Sequence, residues 1–446
     1  MYYLLDGAFS LIIELMNKNL IFLILFLFLN FTSSFAIQEV KKIRLEDAIN
    51  TALATNPQVK MAKLEVEASK NDIKAANQLK NPSLETFQNI GSTAGGNPQQ
   101  VGVDYVIEIL KRGKRKSYAQ SKSIIASDNQ KFQEYNLICE VKSSYINLLL
   151  KKSNLRFIAA QMTLAHEIYD DSIKKYDNSE IPKTEVIQSQ IAYNRAIMYY
   201  KIARSEVIKA QNAFNAVMNA RDFDYDTNED VLDNNYEILL TADPHKQNFT
   251  FEKIKEYTLA NRKDLLAAKE KIQNAQDKLK IVKSQLIPDL ELTGGYGYQT
   301  KGISDSGAFK SGAYAGVSIV NIPLVYRYQP EIKNAQIDIE KANLNYTDLE
   351  TDIIRNITDA WEKYTIAREN LNFYDNELLL NSQELLRESL NNLSKKEITL
   401  TDFLVSKKMF IELELGYKQA LYEYYISFAE LLKEMNADYK NLDEFI

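Results

Sequence analysis

Cysteine and histidine are nearly absent from this chain, which has one cysteine, Cys139, and two histidines, His166 and His245, among 446 residues. A single cysteine cannot close a disulfide within the chain. Zinc sites in proteins take several Cys and His ligands, so a site of that kind is excluded. We therefore predict a protein without a bound metal or other cofactor.

Catalytic motifs are missing as well. The sequence has no Gly-x-Ser-x-Gly nucleophile elbow, no phosphate-binding loop and no zinc-protease signature, and neither histidine is placed as a base. The net charge of −6 gives no positive field that would attract nucleic acid. The sequence predicts neither an enzyme nor a nucleic-acid partner.

Glycine and proline are confined to short parts of the chain. Twelve of the 14 glycines lie in two windows, 91–113 and 294–316. No proline occurs between Pro98 and Pro182 or after Pro330. Long stretches without these two residue types, rich in Ala, Leu, Lys, Glu and Gln, favour very long helices.

The longest predicted helix runs from Lys114 to about Tyr176. At about 1.5 Å per residue it would be roughly 90 Å long, far beyond a compact domain. The stretch after Pro330 is also predicted to be helical, and Gly416 is the one glycine it contains. Helices of this length favour a coiled coil or a tube.

Within the two glycine-rich windows the hydrophobic pattern changes to a period of two. The apolar positions are Val101, Val103, Tyr105, Ile107 and Ile109 in the first window and Leu290, Leu292, Tyr296 and Tyr298 in the second. Each window predicts a strand pair, at about 82–110 and 288–325, joined by a polar loop at 91–99 or 301–311. Strands of about ten residues with one apolar and one polar side are typical of transmembrane barrels, and the edge of a soluble β-sandwich is the alternative.

The sequence also repeats itself, in the order helix, strand pair, long helix, tip turn and helix. Residues 53–85 align without a gap with 259–291, and 180–187 align with 397–404. The predicted repeats are 37–240, with a tip turn near 177–183, and 241–446, with a tip turn near 394–400.

The N-terminus predicts a secretory signal peptide, residues 1–36. Ten consecutive large apolar residues, Leu20 to Leu29, precede the small-x-small pattern Ser34-Phe35-Ala36. Met16-Asn17-Lys18 suits the start of such a signal, so translation could also start at Met16. Beyond the signal no run of 18 apolar residues remains, and no membrane-spanning helix is predicted.

Four strands are too few to close a membrane barrel, because the smallest single-chain barrels use about eight. Unpaired strand edges cannot face lipid, so the chain must assemble with copies of itself. Three copies would supply twelve strands, although the pattern alone does not fix that number.

Four short motifs recur in this order in a known family. They are Leu45-Glu46-Asp47-Ala48-Ile49, Asn56-Pro57-Gln58-Val59, Pro82-Ser83-Leu84 and Pro288-Asp289-Leu290. With the duplication and the signal peptide, they make the chain resemble the TolC-like outer-membrane efflux family over nearly its whole mature length. The resemblance implies a mainly α fold with a small β part: a long antiparallel α-helical coiled-coil tunnel, and four strands per protomer in the twelve-stranded transmembrane β-barrel of a homotrimer.

The same resemblance implies a function. The chain would be the exit duct of a tripartite efflux system, in the outer membrane and extending into the periplasm, in contact with outer-membrane lipid, a periplasmic adaptor and an inner-membrane pump. Residues 108–115, with Ile322-Pro323-Leu324 at the matching point, are most similar to members that serve resistance-nodulation-division pumps, including heavy-metal ones. The basic residues of 111–116 fall where a strand would leave the membrane and can lie near lipid headgroups, with a solvated charge cluster as the alternative. The alternatives are the duct of a type I secretion system and a periplasmic coiled-coil scaffold without a pore.

Acidic residues of the two tip turns are the candidate functional residues. The candidates are Glu180, Glu185, Glu397 and Asp402, with Tyr176 and Lys183 beside them. In a symmetric assembly each carboxylate becomes a ring, and such rings impose cation preference on a pore. By resemblance, Asp402 with Glu185 opposite it matches the family's gating position at a constricted periplasmic entrance, and Tyr176 and Lys183 would help to hold the tip shut. A solvated surface is the alternative for these residues.

Overall fold

The computed structural model describes residues 40–88, 98–220, 224–229, 250–299, 311–374 and 376–436. The predicted signal peptide and most of the two predicted polar loops lie outside these ranges.

Long helices and a small sheet make up the described residues. The helices are α1 Leu45–Thr55, α2 Pro57–Ala76, α3 Lys111–Asp177, α4 Lys183–Val217, α5 Phe251–Asn261, α6 Lys263–Ser284, α7 Gln329–Phe373, α8 Asn376–Ser394 and α9 Leu400–Met435. The strands are β1 Val40–Ile43, β2 Ser83–Gln88, β3 Pro98–Ile107, β4 Asp224–Thr227, β5 Asp289–Gln299 and β6 Gly312–Val320. The predicted fold class, mainly helical with four strands in two pairs, is confirmed.

Helix α3 is one unbroken helix of 67 residues, about 100 Å long at the usual rise. It begins three residues before the predicted start, directly after Leu110, which has a left-handed backbone with φ 58°. Its single glycine, Gly113, lies in the first turn, where it interrupts nothing. The absence of helix breakers therefore predicted this element well.

The second long helical stretch is divided, which the sequence did not predict. The break between α7 and α8 falls at Tyr374, whose φ of −86° and ψ of 54° are not helical. The ring of Tyr374 lies on α9 at Gly416, where an added Cβ would come within 2.5 Å of the Tyr374 hydroxyl oxygen. The ring also meets Tyr417, with centroids 6.4 Å apart. The break thus coincides with a contact to another helix, which local helix propensity cannot reveal.

Four strands form an antiparallel sheet in the order β2-β3-β5-β6. The central pair, β3 with β5, joins the two halves of the chain, in register from Pro98 opposite Gln299 to Ile107 opposite Leu290. Because side chains alternate between faces, this register gives the sheet one apolar and one polar face. The apolar face carries Leu84, Val101, Val103, Tyr105, Ile107, Leu290, Leu292, Tyr296, Tyr298, Val317 and Ile319.

A second, two-stranded sheet was not predicted. Strands β1 and β4 pair in parallel, with Val40 opposite Asp224. Lys152 of α3 fixes this sheet, since its Nζ lies 3.1 Å from both carboxylate oxygens of Asp226 and 3.1 Å from Oγ1 of Thr227. Four-residue strands carry too little pattern to be found from sequence.

The hydrophobic core lies where α1, α3, α4, α7 and α9 meet. Tyr145 of α3 packs edge-on against Phe214 of α4, with ring centroids 5.7 Å apart. Tyr364 of α7 packs against Phe428 of α9 at 5.6 Å, and both are buried. This core holds the two halves of the chain together between the sheet and the helical tips.

Candidate functional site

Two turns close the helical hairpins at the end of α3 remote from the sheet. The first turn, 178–182, joins α3 to α4, and the second turn, 395–399, joins α8 to α9. The six predicted gate residues all lie in these turns or within three residues of them: Tyr176, Glu180, Lys183, Glu185, Glu397 and Asp402.

Both turns have the same backbone hydrogen bonds. The amide of Glu180 donates to the carbonyl of Lys175 at 2.8 Å, and the amide of Glu397 donates to that of Asn392 at 2.8 Å. The residue before each glutamate is left-handed although it is not glycine, with φ 58° at Ser179 and 61° at Lys396. This is the Schellman arrangement that ends many helices.

The helices that leave the turns begin differently. In the second turn the Thr399 hydroxyl accepts from the amide of Asp402, and the Asp402 carboxylate accepts from the amide of Thr399, both at 3.2 Å. This capping box satisfies two backbone donors that a helix start leaves open. In the first turn the equivalent residue is Pro182, which has no side-chain cap. The hydrogen bonds from Thr399 lower the pKa of the Asp402 carboxyl.

An ion pair joins the two turns. The Nζ of Lys396 lies 2.8 Å from Oε2 of Glu180. This hydrogen bond, helped by Asn178, lowers the pKa of the Glu180 carboxyl. Lys396 was not among the predicted gate residues, and the residue that aligns with it in the repeat is the uncharged Ser179. Of the predicted gate residues, Glu180 alone contacts the other turn in the described part of the protomer.

The other predicted gate residues do not meet within one protomer. The carboxylate of Asp402 accepts a hydrogen bond within the capping box of its own helix, α9. The side chains of Tyr176, Lys183, Glu185 and Glu397 form no hydrogen bond or ion pair within the ranges that the structure describes. Tyr176 is 42% exposed. Any shared role for these residues requires another copy of the chain.

Above the second turn, α9 buries a lysine. Lys407 is 7% exposed, and its Nζ donates to the carbonyl oxygen of Gln161 on α3 at 3.2 Å. No carboxylate pairs with it among the described residues, and burial lowers the pKa of Lys407 to about 8. It lies in the wall of a groove of about 750 Å³ between α3, α4 and α9. The repeat-equivalent residue is the exposed Gln190, so alignment of the halves gave no sign of this site.

At the opposite end, the polar face of the sheet is acidic. Its carboxylates are Glu85, Asp104, Asp289 and Glu291. The sequences of β2, β3, β5 and β6 contain no lysine or arginine. The apolar face, in contrast, exposes large side chains to the surroundings, with Leu84 at 73% and Val317 at 71%.

A buried ion pair marks the junction between the sheet and the helices. Nζ of Lys111, the first residue of α3, lies 2.8 Å from Oδ2 of Asp289, the first residue of β5, and both side chains are buried. Asn321 donates to the same carboxylate oxygen at 3.1 Å. The expected position of the basic residues near lipid headgroups therefore does not hold for Lys111, which instead ties the first half of the chain to the second.

Within the described ranges, no group of three or more His, Cys, Asp or Glu side chains could hold a metal ion. None of the helices in these ranges combines the length and the apolar character needed to cross a membrane.

Comparison with known proteins decides the fold. The outer membrane efflux protein family matches residues 256–387. The crystal structure of CusC, which forms a transmembrane channel, has a TM-score of 0.70 at 14% identity and covers 91% of this chain and 95% of its own. The chain has the fold of outer-membrane efflux channels. The outer membrane protein VceC from Vibrio cholerae has a TM-score of 0.66 at 16% identity, covering 89% and 96%. The open MtrE outer membrane channel from Neisseria gonorrhoeae has a TM-score of 0.62 at 18% identity, covering 88% and 89%.

The predicted resemblance to the TolC-like outer-membrane efflux family is thus confirmed, and the predicted transport role and outer-membrane location are those of the matched family. No curated protein sequence matches this chain significantly.

Proposed function

We propose that this chain is one protomer of a homotrimeric outer-membrane duct, through which cargo delivered by an inner-membrane pump and a periplasmic adaptor leaves the cell. It carries out no chemistry of its own, which fits its likeness to channels rather than enzymes. The pump supplies the energy for transport, and the duct supplies a path that can be closed at its periplasmic end.

The observation that carries this proposal is the two-faced sheet. Its apolar face exposes large side chains such as Leu84 and Val317, whereas its polar face carries four carboxylates. A soluble protein would cover such an apolar face. A membrane barrel places it against lipid and turns the polar face toward water.

The two open edges of the sheet support assembly from several copies. Strands β2 and β6 each pair with one neighbour only among the described residues. Copies joined head to tail, β6 of one to β2 of the next, would close the ring and leave no edge in lipid. Three copies give twelve strands.

Exposed apolar residues on the outer helices support the same arrangement. Helix α4 exposes Ile191 by 54% and Ile202 by 53%, and α7 and α8 expose Leu344 by 65% and Leu380 by 62%. In the protomer α4 packs against α3, whereas α7 and α8 pack against α9, and a head-to-tail ring would bring the two apolar surfaces together. The helices would then form a tunnel about 100 Å long below the barrel.

The tip turns are proposed as the closure of this tunnel. Rings of Asp402, Glu185, Glu180 and Glu397 would surround its periplasmic end, with Tyr176 and Lys183 beside them. The pair of Lys396 with Glu180 would hold neighbouring hairpins together in the closed state. A pump and adaptor open the tip only if they bind the open form better than the closed form.

Insertion of the purified protein, without its signal peptide, into planar lipid bilayers tests the proposal, together with its oligomer mass in the same detergent. We expect discrete, cation-preferring conductance steps from a stable trimer. A protein that stays soluble without detergent and conducts nothing would contradict the proposal and favour a periplasmic scaffold.

A further inference from the structure

One row of residues crosses the polar face at the middle of the sheet. The register places Glu85 of β2, Gly102 of β3, Gly295 of β5 and Tyr314 of β6 side by side. Two glycines thus separate the tyrosine from the carboxylate, and they leave a bare strip of backbone between them.

The side chain of Tyr314 occupies this bare strip. Its hydroxyl oxygen would clash with a Cβ on Gly102, and it is 2.8 Å from the position of a Cβ on Gly295. Since β5 separates β6 from β3, the phenol of Tyr314 reaches across β5 to the edge of β3. Most side chains in a sheet stand away from it, whereas this one lies along the sheet surface.

Glycine is concentrated on the same face. The glycines of the polar face are Gly102, Gly295, Gly297, Gly312 and Gly316, whereas among the described strand residues the apolar face has only Gly294. An added Cβ on Gly312 or Gly294 would meet nothing within 4 Å. Gly102 and Gly295 differ from these two glycines, because a Cβ on either of them would meet the Tyr314 side chain.

We propose that Tyr314, held flat by the missing side chains of Gly102 and Gly295, sets the free width of the duct at the middle of the barrel. The inference rests on the proposed function, because the polar face lines a lumen only in the closed ring. A side chain at Gly102 displaces the phenol from the sheet into the lumen, and ring symmetry repeats this displacement in every protomer. Tyr314 is then a determinant of which cargo passes, at a level remote from the tip.

Gly102→Ala is the decisive variant, because its worst clash is with the far end of the flexible Tyr314 side chain, whereas the nearest backbone atom, the carbonyl oxygen of Gly294, would lie 3.1 Å away. Gly295→Ala is less informative, since its Cβ would clash with the backbone carbonyl oxygen of Val101 and lie 2.6 Å from the Cα of Gly102. Gly312→Ala adds the same methyl group to the polar face in open space, and Gly294→Ala adds it to the apolar face. These two variants are the matched controls for lumen volume and for strand propensity.

The test measures single-channel conductance and the permeability to a large cation in lipid bilayers. We expect a loss in Gly102→Ala, a larger loss in Gly102→Val, and none in the two controls. Combining Gly102→Ala with Tyr314→Ala should return conductance to the level of Tyr314→Ala alone. A crystal structure of Gly102→Ala should show the ring displaced from β3.

Two results would overturn the inference while the duct itself stands. The first is unchanged conductance and cargo size in Gly102→Val, and the second is a loss that Tyr314→Ala does not relieve, which would indicate distorted strand pairing. A wild-type protein that conducts nothing would instead overturn the proposed function and the inference with it.

Discussion

The first and second tip turns follow the same backbone path with different side chains. In both, a left-handed residue precedes a glutamate whose amide closes the helix end, at Ser179-Glu180 and at Lys396-Glu397. The second turn then adds a capping box at Thr399, where the first turn has Pro182. The backbone conformation is common to both turns, whereas the lysine at the left-handed position and the capping box belong to the second turn only.

This difference is what permits a contact between the turns. Two copies of the first turn, 178–182, would offer each other no opposite charges, because this turn contains Glu180 but no lysine or arginine. Because the second turn has Lys396 where the first has Ser179, it can pair with Glu180. The duplication therefore supplied two hairpins of matching shape, and divergence at single positions supplied the means to join them.

The largest expected effect concerns Lys407, which is buried where the first hairpin exposes Gln190. Lys407→Met keeps the length of the side chain and removes the charge, so it should stabilise the protein by about 3 kcal/mol at pH 7, as a pKa lowered from 10.5 to about 8 implies. The thermal midpoint at fixed protein concentration checks this. Lys408→Met, at an exposed neighbour, is the control and should change little.

The pH dependence of the folding stability is a second test of the buried Lys407. Between pH 8 and 10.5 the unfolded chain holds a proton on Lys407 that the folded chain has lost, so stability should rise with pH across this window. Below pH 8 both states are protonated and the penalty is constant. The other charged groups of the groove, Lys151, Arg195, Glu206, Lys408 and Glu412, remain in Lys407→Met. A rise of equal size in that variant would contradict the assignment.

Charge reversal tests the contact between the turns. Lys396→Glu should raise the leak through the closed duct, and combination with Glu180→Lys should restore closure. Lys395→Glu makes the same charge change at the adjacent lysine, which has no ion pair among the described residues, and should leave the leak unchanged. The measurement is open probability in lipid bilayers.

Low pH should raise the leak through the closed duct, as Lys396→Glu does, because protonation of Glu180 removes the ion pair. The pKa of Glu180 is lowered in the folded protein, so the contribution of the pair is present at neutral pH and is lost as the pH falls below roughly 4. An equal leak in wild type and Lys396→Glu at pH 7 would show that the ion pair does not hold the tip.

A smaller effect is expected at the caps. Thr399→Ala removes the capping box and should destabilise the start of α9 by about 1 kcal/mol. Pro182→Thr gives the first turn the Thr-x-x-Glu pattern with Glu185 and should slow hydrogen exchange in the first turn of α4. Together, Thr399→Ala and Pro182→Thr would remove the side-chain cap from the second hairpin and add one to the first. Equal exchange rates in wild type and Thr399→Ala would show that the cap contributes nothing.

The smallest expected effect concerns the left-handed residues. Ser179→Gly relieves an unfavourable backbone conformation and should stabilise the first hairpin by roughly 0.5 kcal/mol, after allowance for the greater freedom of glycine in the unfolded chain. Lys396→Gly gains the same relief but loses the ion pair. A larger gain in Lys396→Gly than in Ser179→Gly would argue against that pair.

Features that repeat along the chain were predictable from sequence. The alternation of Val101, Val103, Tyr105 and Ile107 placed these side chains on one face of β3, as the structure has them. The absence of proline and glycine gave α3 nearly to the residue. Both signals are local, because the spacing of apolar residues and the absence of proline and glycine can be seen within one short segment of the chain.

Features that depend on contacts between distant segments were not predictable. The break at Tyr374 coincides with a contact to Gly416 of another helix, the burial of Lys111 requires Asp289, and the role of Lys396 requires Glu180. In each case one residue alone looks ordinary, and its partner lies in the other half of the chain or on a separate helix. For the candidate site, the sequence was enough to place the acidic residues in the tip turns, but not to show that Glu180 pairs with Lys396.

The small parallel sheet has a consequence for the order of assembly. Strand β1 lies just after the predicted signal peptide, yet its partner β4 follows the whole of α3 and α4 in the chain. If the predicted signal peptide directs export, β1 leaves the inner membrane before β4 and stays unpaired until both long helices have followed. On that route, a chaperone that binds the emerging protein would have to protect β1 for this interval.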